Sequence, residues 1–111
     1  MIYSVEYHAT TGWPNSQGAL RRRVSAFVRT GRARRFKLGL TNDPCMRAGQ
    51  HNLKKNPYSR MVVIYATLSQ KNAQEIETWL IHMYRNRVEN QRAGGAGRYG
   101  SGWKYVYALL S

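Results

Sequence analysis

Arg47 and His51 stand four residues apart, shortly after an Asp43-Pro44 pair. Asp followed by Pro is a helix-start signal: the acid caps free N–H groups and the proline ring is preset for the first turn. Residues four apart on a helix share a face, so a guanidinium and an imidazole project together from this one. Immediately upstream, Lys37-Leu38-Gly39-Leu40-Thr41 reads as a strand that ends at a glycine and leads into a tight turn. Strand-end backbone beside a paired Arg and His is a place to hold a phosphate. Arginine offers a planar fork of donors, and histidine moves a proton near neutral pH.

Cleaving a phosphodiester needs a base to activate water, a cation to stabilise charge on the phosphoryl oxygens, and an in-line grip on the phosphate. The chain has only five acids, Glu6, Asp43, Glu75, Glu77 and Glu89. Asp43 is committed to capping, and Glu6 and Glu89 lie near element ends. Glu75 and Glu77 fall on one long helical stretch and face different ways. Glu77 shares a side with Leu80, Ile81, Tyr84 and Val88, whereas Glu75 sits with Thr78, Trp79 and His82. A carboxylate on the more apolar flank needs a partner; the plainer reading of Glu77 is a surface acid paired with a nearby arginine. His8 and His82 have no acid or cysteine at ligand spacing and read as structural.

These residues need elements to position them. Ile2 to Tyr7 reads as a strand, and Thr10 to Asn15 as a loop. Leu20, Val24, Phe27 and Val28 repeat at helical spacing with Arg21, Arg22, Arg23 and Arg29 largely elsewhere, giving a basic amphipathic helix that stops near Gly31. Arg35 to Leu40 is a second strand and Pro44 to Leu53 a short helix. Met61 to Ala66 is the apolar run of a central strand, and Asn72 to Val88 is the longest helix. Ala93 to Gly102 holds five glycines and is a loop. Trp103 to Leu110 forms a final edge strand, in which the alternation of Tyr105 and Tyr107, with Tyr99 and Trp103 before them, favours sheet packing. This order predicts a small α/β sandwich around an antiparallel sheet.

The chain has 111 residues, enough for one domain, and 42% of them are hydrophobic, which excludes wholesale disorder. Its formal net charge is +13, from 18 Lys and Arg against 5 Asp and Glu. That imbalance points to a polyanionic partner. Nucleic acid is favoured over a membrane surface because no long apolar segment dominates. Between Arg21 and Lys37 stand eight basic residues and no acid: Arg21, Arg22, Arg23, Arg29, Arg32, Arg34, Arg35 and Lys37. They read as a clamp on a nucleic-acid backbone. Cys45 is the only cysteine, which rules out an internal disulfide and a cysteine zinc cluster. Met1 to Tyr7 lacks the pattern of a signal peptide, so the expected location is intracellular.

The run Lys37-Leu38-Gly39-Leu40-Thr41, followed by Arg47 and His51, resembles the second half of the GIY-YIG nuclease signature, with lysine in the tyrosine position. Met1-Ile2-Tyr3 is similar to the first motif without its glycine, and residues from about 10 to 33 are then an insertion between the two. Glu77, within Ile76-Glu77-Thr78-Trp79-Leu80-Ile81, matches the family's metal-binding glutamate, and Asn90 its late asparagine. The resemblance implies a three-stranded antiparallel sheet flanked by helices and a metal-dependent endonuclease acting on DNA, with RNA not excluded. It implies that Arg47 binds the scissile phosphate, that His51 orients or deprotonates the nucleophile, and that Tyr3 positions water. Glu77 would hold a single Mg²⁺ or Mn²⁺, and Asn90 would join the basic residues at the nucleic acid. Lys37, an ammonium where the family has a phenol, becomes an electrostatic partner of the phosphate. One such site cuts one strand at a time, so the protein would act as a monomer or transient dimer. The alternatives are a nucleic-acid-binding module that has lost cleavage and a basic structural or ribosome-associated protein.

Overall fold

The computed structural model of the chain describes residues 1–29, 35–86, 88–89 and 102–111, with the side chains of all of these but Arg29. Arg32, Arg34 and Asn90, expected at the nucleic acid, lie outside the described residues, as do Tyr99, the expected helix stop at Gly31 and most of the glycine-rich stretch. The elements run β1 (Val5–Thr10), α1 (Gln17–Arg29), β2 (Phe36–Thr41), α2 (Pro44–Asn52), β3 (Arg60–Thr67), α3 (Gln70–Met83) and β4 (Lys104–Leu110).

The expected α/β class holds, but the sheet is four-stranded and mixed, in the order β1-β3-β4-β2. β1 runs parallel to β3, whereas β4 is antiparallel to both β3 and β2. The first three strands share one direction, each reached from the last through a helical crossover; β4 also follows a helix, α3, but runs the opposite way. The sheet is thus not the three-stranded antiparallel one expected from the sequence: β2, β4 and β3 are antiparallel neighbours, and β1 joins parallel to β3 at the edge, away from β2. The Trp103–Leu110 segment is therefore an interior strand and not an edge. Its residues from Val106 to Leu110 are buried, and both of its neighbours are strands. The first strand also begins later than expected, at Val5, which leaves Tyr3 outside it.

Strand alternation divides the core into two layers. Phe36, Leu38 and Leu40 of β2 and Val106, Ala108 and Leu110 of β4 face one side, where they pack with Leu20, Val24 and Val28 of α1 and with Ala73, Ile76, Leu80 and Ile81 of α3. Tyr107 and Leu109 of β4 face the other side with Met61 and Val63 of β3, Ala48 of α2, Ile2 and Tyr58. Lys37, Gly39 and Thr41 alternate onto this second face. α2 starts as the sequence predicts: Pro44 opens it and the Asp43 side chain accepts a hydrogen bond from the Met46 N–H at 3.1 Å. Thr41 shapes the turn before it, its hydroxyl accepting from the Asp43 N–H at 3.1 Å. α3 is shorter than expected, with Ser69 capping its start and Tyr84 closing it.

Gly39 stands opposite Tyr107 in the β2–β4 register. A Cβ at position 39 would lie 2.3 Å from Tyr107 Cζ and 2.4 Å from its hydroxyl oxygen. Glycine in a strand marks such a close approach. Tyr107 is 4% exposed and has nowhere to go, so Gly39→Ala should lower stability by about 1–3 kcal/mol or more through overpacking. Urea unfolding of the variant checks this; an unchanged midpoint would show that the ring moves freely.

Candidate active site

Three of the residues expected to do chemistry meet on the α2 face. Arg47 and His51 lie one turn apart on α2, and Lys37 comes up from β2 beneath them. His51 is 5% exposed. Its Nε2 lies 3.1 Å from the Tyr107 hydroxyl, and its ring meets those of Tyr58 and Tyr107 edge-on. Its Nδ1 is buried and has no hydrogen-bond partner among the described residues, and the same is true of Arg47 Nε. Buried polar atoms are nearly always paired. Thr10 Oγ1 and Ser16 Oγ are also buried without a partner among the described residues, but the two nitrogens are set apart by their place, one helical turn from each other on α2.

Beside them opens a cleft of about 290 Å³ lined by Arg35, Lys37, His51, Lys54, Tyr58 and Glu89, among others. Its charges act on one another. Burial, then Lys54, Lys37 and Arg47, push the His51 pKa down to about 4, so the imidazole is neutral at physiological pH. Burial also lowers the Lys37 pKa; Lys54 and Arg47 add to the effect and Glu89 opposes it. Arg35 forms the far wall. It bonds Glu89 at 3.0 Å and stacks 4.1 Å above the Tyr58 ring. Burial and the nearby Glu89 push the Tyr58 hydroxyl up to about 12, so it stays protonated.

The other candidates lie elsewhere. Tyr3 is 92% exposed and lines a separate groove with Ile2, Cys45, Ala48, Gly49 and Asn52. Helical spacing puts Cys45, Gly49 and Asn52 on the flank of α2 away from Arg47 and Lys54. Asn52 fixes the segment there by bonding both the N–H and the carbonyl of Ile2 at 2.8 Å. The hydroxyl brought to His51 belongs instead to Tyr107, which the sequence suggests only as sheet packing. Nothing in the sequence pattern singles out Lys54 either. A glycine within a strand is the signal that could have pointed to Tyr107; its partner depends on a register set between distant segments.

Glu77 belongs to α3, in the layer on the opposite face of the sheet. It is 2% exposed, and burial alone raises its pKa to about 7. Neither Lys37 nor His51 is displaced by its charge. Mg²⁺ takes hard oxygen ligands but keeps several waters and near-octahedral geometry. A single buried carboxyl, on the buried stripe of α3 that also carries Ala73, Ile76, Leu80 and Ile81, does not fit that ion, and no group of three His, Cys, Asp or Glu among the described residues could hold a metal.

The remaining acids are engaged. Glu6 bonds Arg60 at 2.7 Å, Glu89 bonds Arg35, Asp43 caps α2, and Glu75 accepts from Trp13 Nε1 at 3.2 Å. Arg21, Arg22 and Arg23 are exposed on α1 and pair with none of them; Arg23 donates to the His8 carbonyl. No family model, curated protein or solved structure matches this chain.

Two titrations give opposite pH slopes. An unfolded histidine takes up its proton near 6.5, before His51 does in the fold, so His51 makes stability fall as pH drops from about 6.5 towards 4. Glu77 keeps its proton in the fold until about 7, whereas its ordinary value is 4.5, so its contribution is present below 4.5 and is lost as pH rises through 7. Glu77→Gln should therefore match wild type at pH 4.5 and exceed it at pH 8, by about 3 kcal/mol on the size of that shift. Urea unfolding at the two pH values decides; equal stability at pH 8 would mean that Glu77 ionises without cost.

Proposed function

We propose that this chain is a nucleic-acid phosphodiester hydrolase whose reaction centre is the α2-face cluster of Lys37, Arg47, His51 and Tyr107. The two buried, unpartnered nitrogens, Arg47 Nε and His51 Nδ1, carry this reading. A phosphoryl oxygen is an acceptor suited to the guanidinium, and an attacking water can donate to the imidazole. The GIY-YIG resemblance supports the same roles for Arg47 and His51.

Arg47 and Lys37 hold the non-bridging oxygens and offset the charge that grows on them in the transition state. The Tyr107 hydroxyl engages Nε2 and holds the His51 ring, which leaves Nδ1 as the nitrogen free to take a proton. Water attacks phosphorus and gives its proton to His51, the phosphorus–ester oxygen bond breaks, and solvent protonates the departing alkoxide. Burial is the main reason His51 is neutral, and Lys54, Lys37 and Arg47 add to it; a phosphate bound here offsets the part due to those cations, so the imidazole becomes a stronger base when substrate is present. The burial and placement of Glu77 favour a second reading, a nucleic-acid-binding module without cleavage.

Nicking of supercoiled plasmid, with Mg²⁺ and with chelator, separates the two. Hydrolysis predicts nicks in wild type, a fall of about 10²–10³ in turnover for Arg47→Ala, partial activity for Lys37→Arg and little for Lys37→Met. Plasmid that wild type retards but leaves intact supports the binding module. A metal on Glu77 has its own readout: Mg²⁺ would raise the unfolding midpoint of wild type at pH 8 and leave Glu77→Gln unmoved. The buried, lone carboxyl predicts no shift in wild type, and a shift confined to wild type would show that Glu77 holds the ion after all.

A further inference from the structure

Resting on the nucleic-acid reading, we propose that one chain holds two duplex segments at once, one on the α1 side of the sheet and one on the α2 side. Six of the described cations divide between two layers. Leu20, Val24 and Val28 turn the inner stripe of α1 towards the sheet. Arg22, two residues and about 200° round from Leu20, therefore points directly away, with Arg21 and Arg23 on its flanks. Lys37, Arg47 and Lys54 lie on the other face, gathered around His51, where their charges act together. The sheet and its two apolar layers stand between the groups.

Neither group is ion-paired among the described residues. Each of the five acids is either bonded elsewhere, to Arg60, Arg35, Trp13 or the start of α2, or buried, as Glu77 is; Glu89 offsets part of the charge at Lys37. Both groups therefore keep an excess of positive charge that suits a polyanion. The smallest principal extent of the fold is 24 Å, whereas charges are screened over about 8 Å at physiological ionic strength. A duplex on one face is thus nearly invisible to a duplex on the other, and two polyanions can be held without repelling through the protein. A single track wrapped round the molecule would have to bend within a body only 31 × 27 × 24 Å across, far below the roughly 500 Å persistence length of DNA.

The test uses two DNA duplexes of about 20 base pairs, one immobilised on beads and one fluorescent, together with the mass of the complex in excess DNA. Wild type should capture the fluorescent duplex and form a complex of one chain with two duplexes. The triple variant Arg21→Ala/Arg22→Ala/Arg23→Ala should keep one duplex and lose capture. Lys37→Met/Lys54→Ala should do the same, as should Lys54→Glu alone, which changes an exposed residue and spares the core. The triple variant should also flatten the dependence of log binding on log salt by about three. One duplex per chain without capture overturns the proposal. Capture that survives in one variant while the other binds no duplex also overturns it, because one face and self-association would then suffice. If wild type binds no duplex even at low salt, the nucleic-acid reading fails with it.

Discussion

Tyr107 can lie across β2 only because position 39 carries no side chain. The β2–β4 register sets this pair opposite each other, and the glycine lets the aromatic ring settle where a Cβ would stand. The ring thereby brings its hydroxyl to His51 on α2, 3.1 Å from Nε2. One backbone constraint thus places the ring and hydroxyl against which the histidine is held. A hydrogen bond of this kind contributes about 0.5–1.5 kcal/mol net. Its larger effect is geometric, because a buried imidazole held at one nitrogen presents the other in one direction.

The cluster is also defined by a shortage of acids. Around His51 the nearby charges are overwhelmingly positive, and Glu89, the acid at the cleft, is bonded to Arg35. Such an arrangement destabilises the free protein slightly and rewards an anion that enters it, which is how binding sites differ from salt-bridged surfaces. The same shortage leaves α1 charged on its outer face. Cations held near one another without partners are tolerated where they are solvated.

The strand–turn–helix from Lys37 to His51 was legible in the sequence because its signals are local. A capping Asp, a proline at the first turn and two residues at helical spacing act within fifteen residues. The basic helix and the apolar run of β3 were legible for the same reason, through periodicity. What lay beyond reach was pairing. The segment from Trp103 to Leu110 looks like any terminal strand until β2 and β3 claim its two edges, and only that register turns Tyr107 from a packing residue into the partner of His51. Tyr3 illustrates the converse: a motif match near the start of the chain, placed by Asn52 on the wrong flank of α2. For Glu77 the sequence showed an acid on an apolar flank, and the fold buries it as that flank suggests, but in the layer away from the histidine.

The most direct test of a phosphate-holding cluster watches the unpartnered nitrogen itself. In ¹⁵N-imidazole spectra of the full chain, titration with a short oligonucleotide should shift His51 Nδ1 saturably, with the Arg47 Nε resonance following the same curve. If both stay fixed while the backbone amides of Arg21, Arg22 and Arg23 respond, nucleic acid binds the outer helix alone and the α2-face cluster is not its reaction centre.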